Sequence, residues 1–552
     1  MSRDPRVDGR AARTPGMRSA RASFAIHAEA ERSGEPPAEL RERLAGERAE
    51  SRGSGQTRRE LIAGAGALSA AALLTPHTAR ALARRFTRRG SPRVAIVGAG
   101  LAGLRCAHRL WTESPGVPIA ATVYEANPER AGGRCWTLRG FFADGLQSEH
   151  GGSFLNANQT AVRGLAAKLG LEEEVVNGGD LETGEEVYLI DGRSYSYREA
   201  QADWSAFGYA AFRAAARELG SEAGEGRLDG ISVAEWLERS GIGTGSRFGK
   251  LMLANAVTEN GGDPADQSAL DLIELLSSNP RSSLSPLPGD DERYHLRGGN
   301  DQLVSRMVAG LPPETVRHDH VLESVRSNPD RTITLGFQVG GAASQVTADY
   351  VVLALPFSTL RAADLSHSGL SAQKRRVIAT LGMGTNAKIH LEVSHKPWAA
   401  LGLSGATYGE YERLACAWDD SVQLGAGAEP ALYVAFPGAE RGRSGITGDA
   451  HGPAPAPDAG WALGQLEPLI AGMTAAFTGR AYEDHWALDP WVQGAYSYYR
   501  VGQASSYGTI AGRSEGRILF AGEHTSTSNQ GFLDGAVETG ERAASRLLAR
   551  LA

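Results

Sequence analysis

Residues 93–134 read RVAIVGAGLAGLRCAHRLWTESPGVPIAATVYEANPERAGGR, and this stretch decides the fold of the chain. Its four apolar residues 94–97 have the length of a buried parallel strand. They run directly into residues 98–103, GAGLAG, which form a G-x-G-x-x-G turn. Apolar residues then recur at three- and four-residue spacing through residues 101–110, which predicts a helix. A strand, a glycine turn and a helix in this order predict the first unit of an α/β fold with a parallel sheet.

The glycine turn has the residue types that a dinucleotide phosphate needs. Gly98 makes the tight turn, Gly100 lets the backbone approach a pyrophosphate, and Gly103 lets the helix pack on the strand. The phosphates would meet the N-terminus of the helix. A second predicted strand, residues 121–124, ends in Glu125, whose carboxylate can accept hydrogen bonds from ribose hydroxyls. The stretch therefore predicts a dinucleotide-binding site.

Residues 130–134, RAGGR, follow this acid and distinguish FAD from NAD as the expected cofactor. A glycine pair followed by arginine resembles the second fingerprint of the FAD-dependent amine oxidase superfamily. The resemblance implies that Gly132 and Gly133 let the backbone fold back under the cofactor. It also implies that Arg134 offers its guanidinium fork to the pyrophosphate.

The far end of the chain carries a second resemblance to the same family. Residues 520–525, FAGEHT, precede residues 531–544, GFLDGAVETGERAA. This pair of segments is similar to the C-terminal signature of flavin monoamine oxidases, polyamine oxidases and L-amino acid oxidases. The resemblance implies that Glu523 holds the ribityl or pyrophosphate region. It further implies that the closing helix directs its N-terminus at the flavin pyrimidine ring, where helix N–H groups stabilise negative charge.

Length and composition limit the class of protein. A chain of 552 residues exceeds one ordinary core, so two intertwined domains are expected. A net charge of −7 with 41% apolar residues describes a globular protein without a nucleic-acid footprint. Three scattered cysteines and the absence of metal-ligand spacing predict neither a disulfide scaffold nor a metal site.

The N-terminus is predicted to lie outside the fold. Residues 1–56 are rich in Arg, Glu, Ala, Ser and Gly without periodicity, which predicts a disordered extension. Residues 57–83 hold an Arg-Arg pair, an apolar run of 14 residues at 61–74, and small-x-small cleavage candidates. This segment resembles a twin-arginine export signal, so a bacterial protein exported by the twin-arginine machinery is expected. The run is shorter than the roughly 20 residues that span a bilayer, so no permanent membrane anchor is expected.

The family resemblance implies a Rossmann-type FAD-binding domain into which an α+β substrate domain is inserted. The FAD domain is expected to combine residues 93–160, 290–356 and 490–552, and the substrate domain residues 161–289 and 357–489. The sequence pattern predicts largely helical structure through residues 196–276. The Pro- and Gly-rich residues 440–460 are interpreted as a loop insertion. A monomer and a homodimer both remain open.

The glycine turn and the resemblance together imply a set of cofactor contacts. Among them, the loop of residues 149–154 would approach the isoalloxazine, and the backbone of Leu322 would touch the adenine. The full set is Gly98, Gly100, Leu101, Ala102, Gly103, Glu125, Ala126, Gly133, Arg134, Gly151, Gly152, Ser153, Phe154, Leu322, Glu523, Gly531, Phe532 and Leu533.

Three residues match the reactive end of the family's cavity. Lys388 matches the lysine that, in the family, hydrogen-bonds through a water molecule to flavin N5. Tyr496 and Phe532 match the two aromatic residues that sandwich the amine, and their π-faces attract a nearby cation. In relatives the second ring is often tyrosine, so Phe532 makes the slot less polar.

Two departures from the family pattern bear on the chemistry. Monoamine oxidases tether FAD through a cysteine just before the first aromatic residue, and here that residue is Ala495, so non-covalent FAD is expected. Some L-amino acid oxidases place an arginine after the glutamate-glycine motif to bind the substrate carboxylate, and here Phe154 occupies that position. A carboxylate buried against phenylalanine would be unpaired and unfavourable.

These observations predict FAD-dependent oxidative deamination of a small-molecule amine. Hydride would pass from the amine α-carbon to flavin N5, the imine would hydrolyse, and O2 would be reduced to hydrogen peroxide. An L-amino acid oxidase with a relocated carboxylate-binding arginine is the first alternative. A flavin-binding protein without turnover is the alternative from another class.

Overall fold

The computed structural model describes residues 92–114, 119–176, 184–285, 291–425 and 427–551. The extension at residues 1–56 and the export signal at residues 57–83, both predicted above, lie outside these described residues. No helix among the described residues is long and apolar enough to cross a membrane.

The helices are α1 (Leu101–Thr112), α2 (Thr160–Lys168), α3 (Tyr197–Asp203), α4 (Tyr209–Glu218), α5 (Glu222–Asp229), α6 (Val233–Arg239), α7 (Arg247–Asn260), α8 (Ala269–Leu276), α9 (Gln302–Ala309), α10 (Phe357–Leu360), α11 (Ala372–Thr380), α12 (Pro397–Ala400), α13 (Ala439–Ser444), α14 (Ala456–Leu466), α15 (Met473–Ala476), α16 (Ala504–Ala511) and α17 (Leu533–Leu551). A π-helical segment, Trp204–Gly208, joins α3 to α4.

The strands are β1 (Val94–Val97), β2 (Ala121–Tyr124), β3 (Thr137–Leu138), β4 (Ser148–Glu149), β5 (Glu173–Val175), β6 (Glu185–Ile190), β7 (Arg193–Ser196), β8 (Tyr294–Leu296), β9 (Val316–Arg317), β10 (Val321–Ser327), β11 (Ile333–Val339), β12 (Ala342–Ala348), β13 (Tyr350–Leu353), β14 (Gly382–Met383), β15 (Lys388–Val393), β16 (Leu403–Gly409), β17 (Cys416–Asp419), β18 (Ala431–Phe436), β19 (His451–Pro453), β20 (Phe477–Asp484), β21 (Ser497–Tyr498) and β22 (Ile518–Phe520).

A five-stranded parallel sheet in the order β22-β13-β1-β2-β9 forms the first layer. All four residues of β1 are buried, and this strand pairs in parallel with β2 on one side and β13 on the other. Helices α1 and α17 pack on the apolar cluster of this sheet, which includes Leu104, Leu110 and Leu547. The carboxyl ends of β1, β2, β13 and β22 open on the same edge, which is where ligands bind in open α/β sheets.

An eight-stranded mixed sheet in the order β19-β20-β15-β18-β17-β16-β6-β7 forms the second layer. Strand β15 lies inside this sheet between β18 and β20, and all six of its residues are buried. The helices α3 to α8 follow β7 and pack around a cluster rich in aromatic residues that includes Trp204, Phe212 and Phe248. The helical pattern expected for residues 196–276 is therefore confirmed.

The interpretation of residues 440–460 as a loop insertion is wrong. This stretch contains most of α13, all of β19 and the start of α14. Strand β19 pairs antiparallel with β20 at the edge of the mixed sheet, with His451 opposite Asp484. An edge strand tolerates Pro453 because that side of the ladder needs no further N–H donor, so the proline content misled the sequence interpretation.

Candidate functional site

One cavity of about 1680 Å³ extends from the carboxyl edge of the parallel sheet to the mixed sheet. A drug-sized ligand ordinarily occupies about 300–1,000 Å³, so this cavity has room for a large cofactor and a small substrate together. Every predicted site residue except Gly103 lines it. Gly103 packs against the turn instead. An added β-carbon at this residue would overlap the carbonyl oxygen of Gly98, so the helix and the turn are in close contact here.

The glycine turn has the geometry that a pyrophosphate site requires. Gly98 has φ of +100°, which favours glycine, and its N–H donates to the carbonyl of Tyr124 at 2.8 Å. At Gly100 the nearest atom to an added β-carbon is the carbonyl oxygen of Gly132 at 3.9 Å, so the backbone faces open space. Gly100 is the N-cap of α1 and brings no side-chain cap, which leaves the first-turn N–H groups of Leu101 and Ala102 available for an anion.

Glu125 follows β2 and is nearly buried at the edge of the cavity. One carboxylate oxygen accepts from the N–H of Ala99 at 2.6 Å, and the other accepts from the N–H of Asn127 at 2.8 Å. Burial raises the pKa of Glu125, against the lowering effect of these two backbone donors. Each oxygen keeps a second lone pair that a ribose hydroxyl could use.

Arg134 and Glu523 form a partly buried ion pair in the cavity wall. The Nη1 atom of Arg134 donates to Glu523 at 2.9 Å and to the carbonyl of Ala495 at 2.7 Å. Glu523 also accepts from the hydroxyl of Ser497 at 2.7 Å and from the N–H of Gly531 at 2.9 Å. Burial opposes ionisation of Glu523, but the charge of Arg134 and these donors hold its pKa below the ordinary value. The carboxylate therefore fixes the start of the segment that leads into α17.

Lys388 begins β15 and is almost completely buried. Its ammonium donates three hydrogen bonds of 2.7 Å to the carbonyls of Glu149 and Gly151 and to the hydroxyl of Ser153. Burial lowers the pKa of Lys388, and the carboxylate of Asp420 acts in the opposite direction. All three hydrogens of the cation are therefore directed at the loop of residues 149–153. A water molecule between Lys388 and a flavin would have to share one of them.

Aromatic rings cover the cavity wall beside Lys388. Tyr496 donates its hydroxyl to the carbonyl of Thr258 at 2.5 Å, near the C-terminus of α7. Phe154 meets Trp418 edge-on with ring centroids 5.9 Å apart, and the ammonium of Lys388 lies 5.7 Å from the centre of the Trp418 ring.

Trp418 escaped the sequence analysis, although it lines the cavity beside predicted residues. It also packs edge-on against Phe436 at 5.2 Å, another lining residue. A lone tryptophan in a short strand carries no motif, and only the pairing of β17 with β18 brings it to this wall.

Carboxylates are the second group of lining residues that sequence reasoning missed. They are Asp144, Glu149, Glu174, Glu185, Glu186, Glu259, Asp291, Glu292, Asp419 and Asp420. The negative charges of Glu259 and Glu292 add to burial in raising the pKa of Tyr496 well above its ordinary range. Glu259 and Glu292 therefore lie near the ring of Tyr496 in the cavity. Among the described residues the lining contains three arginines, Arg130, Arg134 and Arg293.

The lining fits FAD on several independent points. The glycine turn leaves space for a pyrophosphate, and Glu125 lies on the cavity wall with lone pairs that could accept from ribose hydroxyls. Helix α17 begins at Leu533 on the cavity wall, where its N-terminal N–H groups favour an electron-rich ring.

Comparison with known proteins agrees with this geometry. The family model for flavin-containing amine oxidoreductases matches residues 101–548. A pseudooxynicotine dehydrogenase from Pseudomonas sp. is 24% identical over 81% of this chain and 84% of its own length. An L-amino acid dehydrogenase from Synechocystis sp. is 24% identical over 83% of this chain and 94% of its own length. The solved structure of a putrescine oxidase bound to putrescine superimposes with a TM-score of 0.69 at 23% identity, covering 83% of this chain and 99% of that one.

Proposed function

This chain belongs to the flavin-containing amine oxidoreductase family, and on that premise we propose that it oxidises a cationic amine that lacks an α-carboxylate. FAD, when bound, supplies the two-electron oxidation of the carbon that bears the nitrogen. The residues of the chain bind the cofactor, orient the amine beside it and exclude water. The observation that supports this proposal is that the carboxylates of Glu259 and Glu292 lie near Tyr496 at the aromatic end of the cavity.

The charges of the cavity favour a cation over a zwitterion at that end. Glu259 and Glu292 lie near Tyr496, and the carbonyl of Thr258 belongs to the last turn of α7, whose dipole attracts positive charge. Of the lining arginines, Arg134 is paired with Glu523. Arg130 donates to the carbonyl of Gly133 and covers the ring of Trp136.

An L-amino acid remains the second candidate substrate class, since one similar protein is named an L-amino acid dehydrogenase. Arg293 is the remaining lining arginine, and its exposed side chain at the rim is the one that could receive a substrate carboxylate.

Matched substrate pairs test the choice between these classes. Tyramine and tyrosine, cadaverine and lysine, and tryptamine and tryptophan differ by one carboxylate. We expect the amine of the productive pair to have the higher kcat/KM, by about tenfold or more, because the site leaves the carboxylate unpaired. A higher kcat/KM for the amino acid would establish the second candidate, and Arg293→Ala would then abolish the preference.

The electron acceptor is measured in the same experiment. We propose that O2 reoxidises the flavin and yields hydrogen peroxide, which a peroxidase-coupled assay detects. Anaerobic bleaching of the flavin without peroxide formation in air, together with turnover on an added dye, would identify a dehydrogenase instead.

We propose that the FAD is not covalently bound, because Ala495 stands where a tethering cysteine would be. Acid precipitation of the holoprotein should release all yellow colour into the supernatant. Flavin that stays with the precipitated polypeptide would contradict this.

We also propose export by the twin-arginine route, on the evidence of Arg58, Arg59 and the apolar run after them. Replacing both arginines by lysine should retain active enzyme inside the cell, while the parent protein is found outside the cytoplasm. Equal export of the two proteins would contradict the proposal. Size-exclusion chromatography of the exported holoprotein decides between a monomer and a homodimer.

A further inference from the structure

The hydroxyl group of Ser153 carries a hydrogen that the described part of the chain leaves without an acceptor. Ser153 belongs to the loop of residues 149–153 and lines the cavity. Its oxygen accepts from the ammonium of Lys388 at 2.7 Å, which is the one hydrogen bond of this side chain among the described residues. The hydroxyl hydrogen is therefore available to a ligand in the cavity.

The other partners of Lys388 decide the direction of this hydrogen bond. The same ammonium donates at 2.7 Å to the carbonyl oxygens of Glu149 and Gly151, which can only accept. An ammonium has three hydrogens and no lone pair, so its third hydrogen goes to the oxygen of Ser153 and the serine hydrogen stays free. The carboxylate of Asp420 lies near the nitrogen and supports its positive charge against the cost of burial.

This arrangement makes Ser153 a stronger donor than an isolated hydroxyl group. A hydroxyl group that accepts from a cation is polarised by it, and its own hydrogen then donates more strongly. Lys388 is almost completely buried, whereas Ser153 is half-buried on the cavity wall. The charge of Lys388 therefore acts on a ligand in the cavity through the hydroxyl group of Ser153.

The residue before Ser153 places this donor beside the start of α17. A β-carbon added to Gly152 would stand 2.9 Å from the side chain of Leu533, the first residue of that helix. Gly152, Ser153 and Leu533 all line the cavity. The N-terminal N–H groups of α17 attract negative charge. The helix N-terminus and the serine donor therefore occupy adjacent parts of the cavity wall, and both suit an electron-rich ring.

We propose that Ser153 donates a hydrogen bond to the flavin ring of bound FAD, and that Lys388 acts on the flavin through Ser153. The inference rests on the proposed function, because it requires FAD in this cavity. A donor that is already directed at the ring favours the reduced cofactor, because it needs no reorientation when negative charge appears there. Lys388 is then a positioning residue. It orients and polarises the serine instead of a bridging water molecule, because its three hydrogens are already used.

The reduction potential of the bound flavin tests this proposal without any amine substrate. Ser153→Ala removes the donor and leaves Lys388 with its two carbonyl partners. We expect the equilibrium constant for two-electron reduction to fall at least about tenfold, which is a potential about 30 mV lower. Titration of the FAD-loaded protein with a reductant, in the presence of a reference dye, measures the potential. The flavin-to-protein absorbance ratio shows whether FAD is retained.

Two further variants separate the hydroxyl group from the rest of the side chain. Ser153→Thr keeps a hydroxyl group on the same carbon and should have the potential of the parent protein. Ser404→Ala makes the same chemical change elsewhere on the cavity wall, where the hydroxyl oxygen of Ser404 accepts from the N–H of Ala406 at 3.2 Å. Its potential should also equal that of the parent protein.

Lys388→Met and the double variant test whether the lysine acts through the serine. Lys388→Met alone should lower the potential, because the hydroxyl group loses the cation that polarises it. If the two residues act in series, the double variant falls by less than the sum of the two single changes. A fall equal to that sum would mean that Lys388 reaches the flavin by a separate path, and it would overturn the link through Ser153.

Several results would overturn the role of Ser153 itself. One is an unchanged potential in Ser153→Ala at full flavin content, which would mean that the serine hydrogen is not directed at the flavin. Another is an equal fall of the potential in Ser404→Ala. If no amine bleaches the flavin of the parent protein, the proposed function has failed, and the potentials of the variants still decide the role of Ser153.

Discussion

At the scale of single residues, Lys388 links the mixed sheet to the loop that faces the reactive end of the cavity. Its three hydrogen bonds hold Glu149, Gly151 and Ser153, so the cation positions this loop in addition to any contact with water or flavin. Removing it would leave the buried carbonyl of Glu149 without this donor, which costs about 1–3 kcal/mol for an unsatisfied group.

Lys388→Met should slow flavin reduction or reoxidation at least about tenfold, which corresponds to about 1.4 kcal/mol in a barrier. The side chain keeps its length but loses the ammonium, while the glycine turn and Glu125, where we expect FAD to bind, are unchanged. Stopped-flow kinetics and the flavin-to-protein absorbance ratio measure the two effects separately. Parent rates in both half-reactions would contradict the role of Lys388.

Lys374→Met is the matched control for this variant. Lys374 is equally buried, donates to the carbonyls of Ile510 and Ala511, and lies outside the lining of the cavity. Its loss should lower the unfolding temperature without slowing either half-reaction.

At the scale of elements, β1, the glycine turn and α1 act as one unit in which each glycine has a different role. Gly103 provides the contact between helix and turn, and Gly100 provides an open face toward the cavity. We therefore expect a substitution at Gly103 to affect folding and a substitution at Gly100 to affect cofactor binding.

Gly103→Ala and Gly100→Ala should therefore give opposite patterns. The added methyl group at Gly103 would overlap the carbonyl of Gly98, so we expect the apoprotein to lose about 1–3 kcal/mol of stability. At Gly100 the methyl group would meet no protein atom closer than 3.9 Å, so the unfolding temperature of the apoprotein should stay unchanged while flavin affinity falls. Thermal unfolding of the apoproteins and flavin titration measure both quantities. Equal destabilisation of the two apoproteins would contradict this division.

At the scale of the whole molecule, one polar cluster, which we call the Asp484 cluster, connects distant parts of the chain. It consists of Asp484, the three imidazole rings that meet it and the hydroxyl group beside them, from His150, His390, His451 and Ser148. Its hydrogen bonds join β4, β15, β19 and β20, and Trp486 adds a bond from its indole N–H to the carbonyl of His150 at 2.8 Å. A buried charge with three donors is costly to disturb, because removing it leaves the donors unpaired.

Asp484→Asn should lower the free energy of unfolding at neutral pH by about 3 kcal/mol. The pKa of Asp484 is lower in the folded state than the unfolded value of about 3.9. Its contribution to stability is therefore complete above about pH 4 and is lost as the pH falls through the folded pKa. Denaturant unfolding at neutral and acidic pH should show a large difference between parent and variant at pH 7 that shrinks in acid. A constant difference across this range would contradict the assignment.

The sequence by itself determined the elements whose signals are local. Residues 94–103 specify a strand, a turn and a helix within ten positions, because the glycines are required there by close backbone contacts and not by distant packing. The same holds for residues 520–544 with β22 and the start of α17. These two signatures predicted the family, and the cofactor contacts assigned within them, Gly103 excepted, line the cavity.

Only the tertiary structure decided which side chains meet across the cavity. Trp418, Asp420, His390 and Asp484 lie on different strands of the mixed sheet or just after them, and the order β20-β15-β18-β17 brings them to one wall. Strand β19 could not be predicted from the sequence for the same reason, since its partner β20 begins more than 20 residues later in the chain. Cross-strand contacts depend on sheet order and register, which leave no mark in the spacing of residues along the chain.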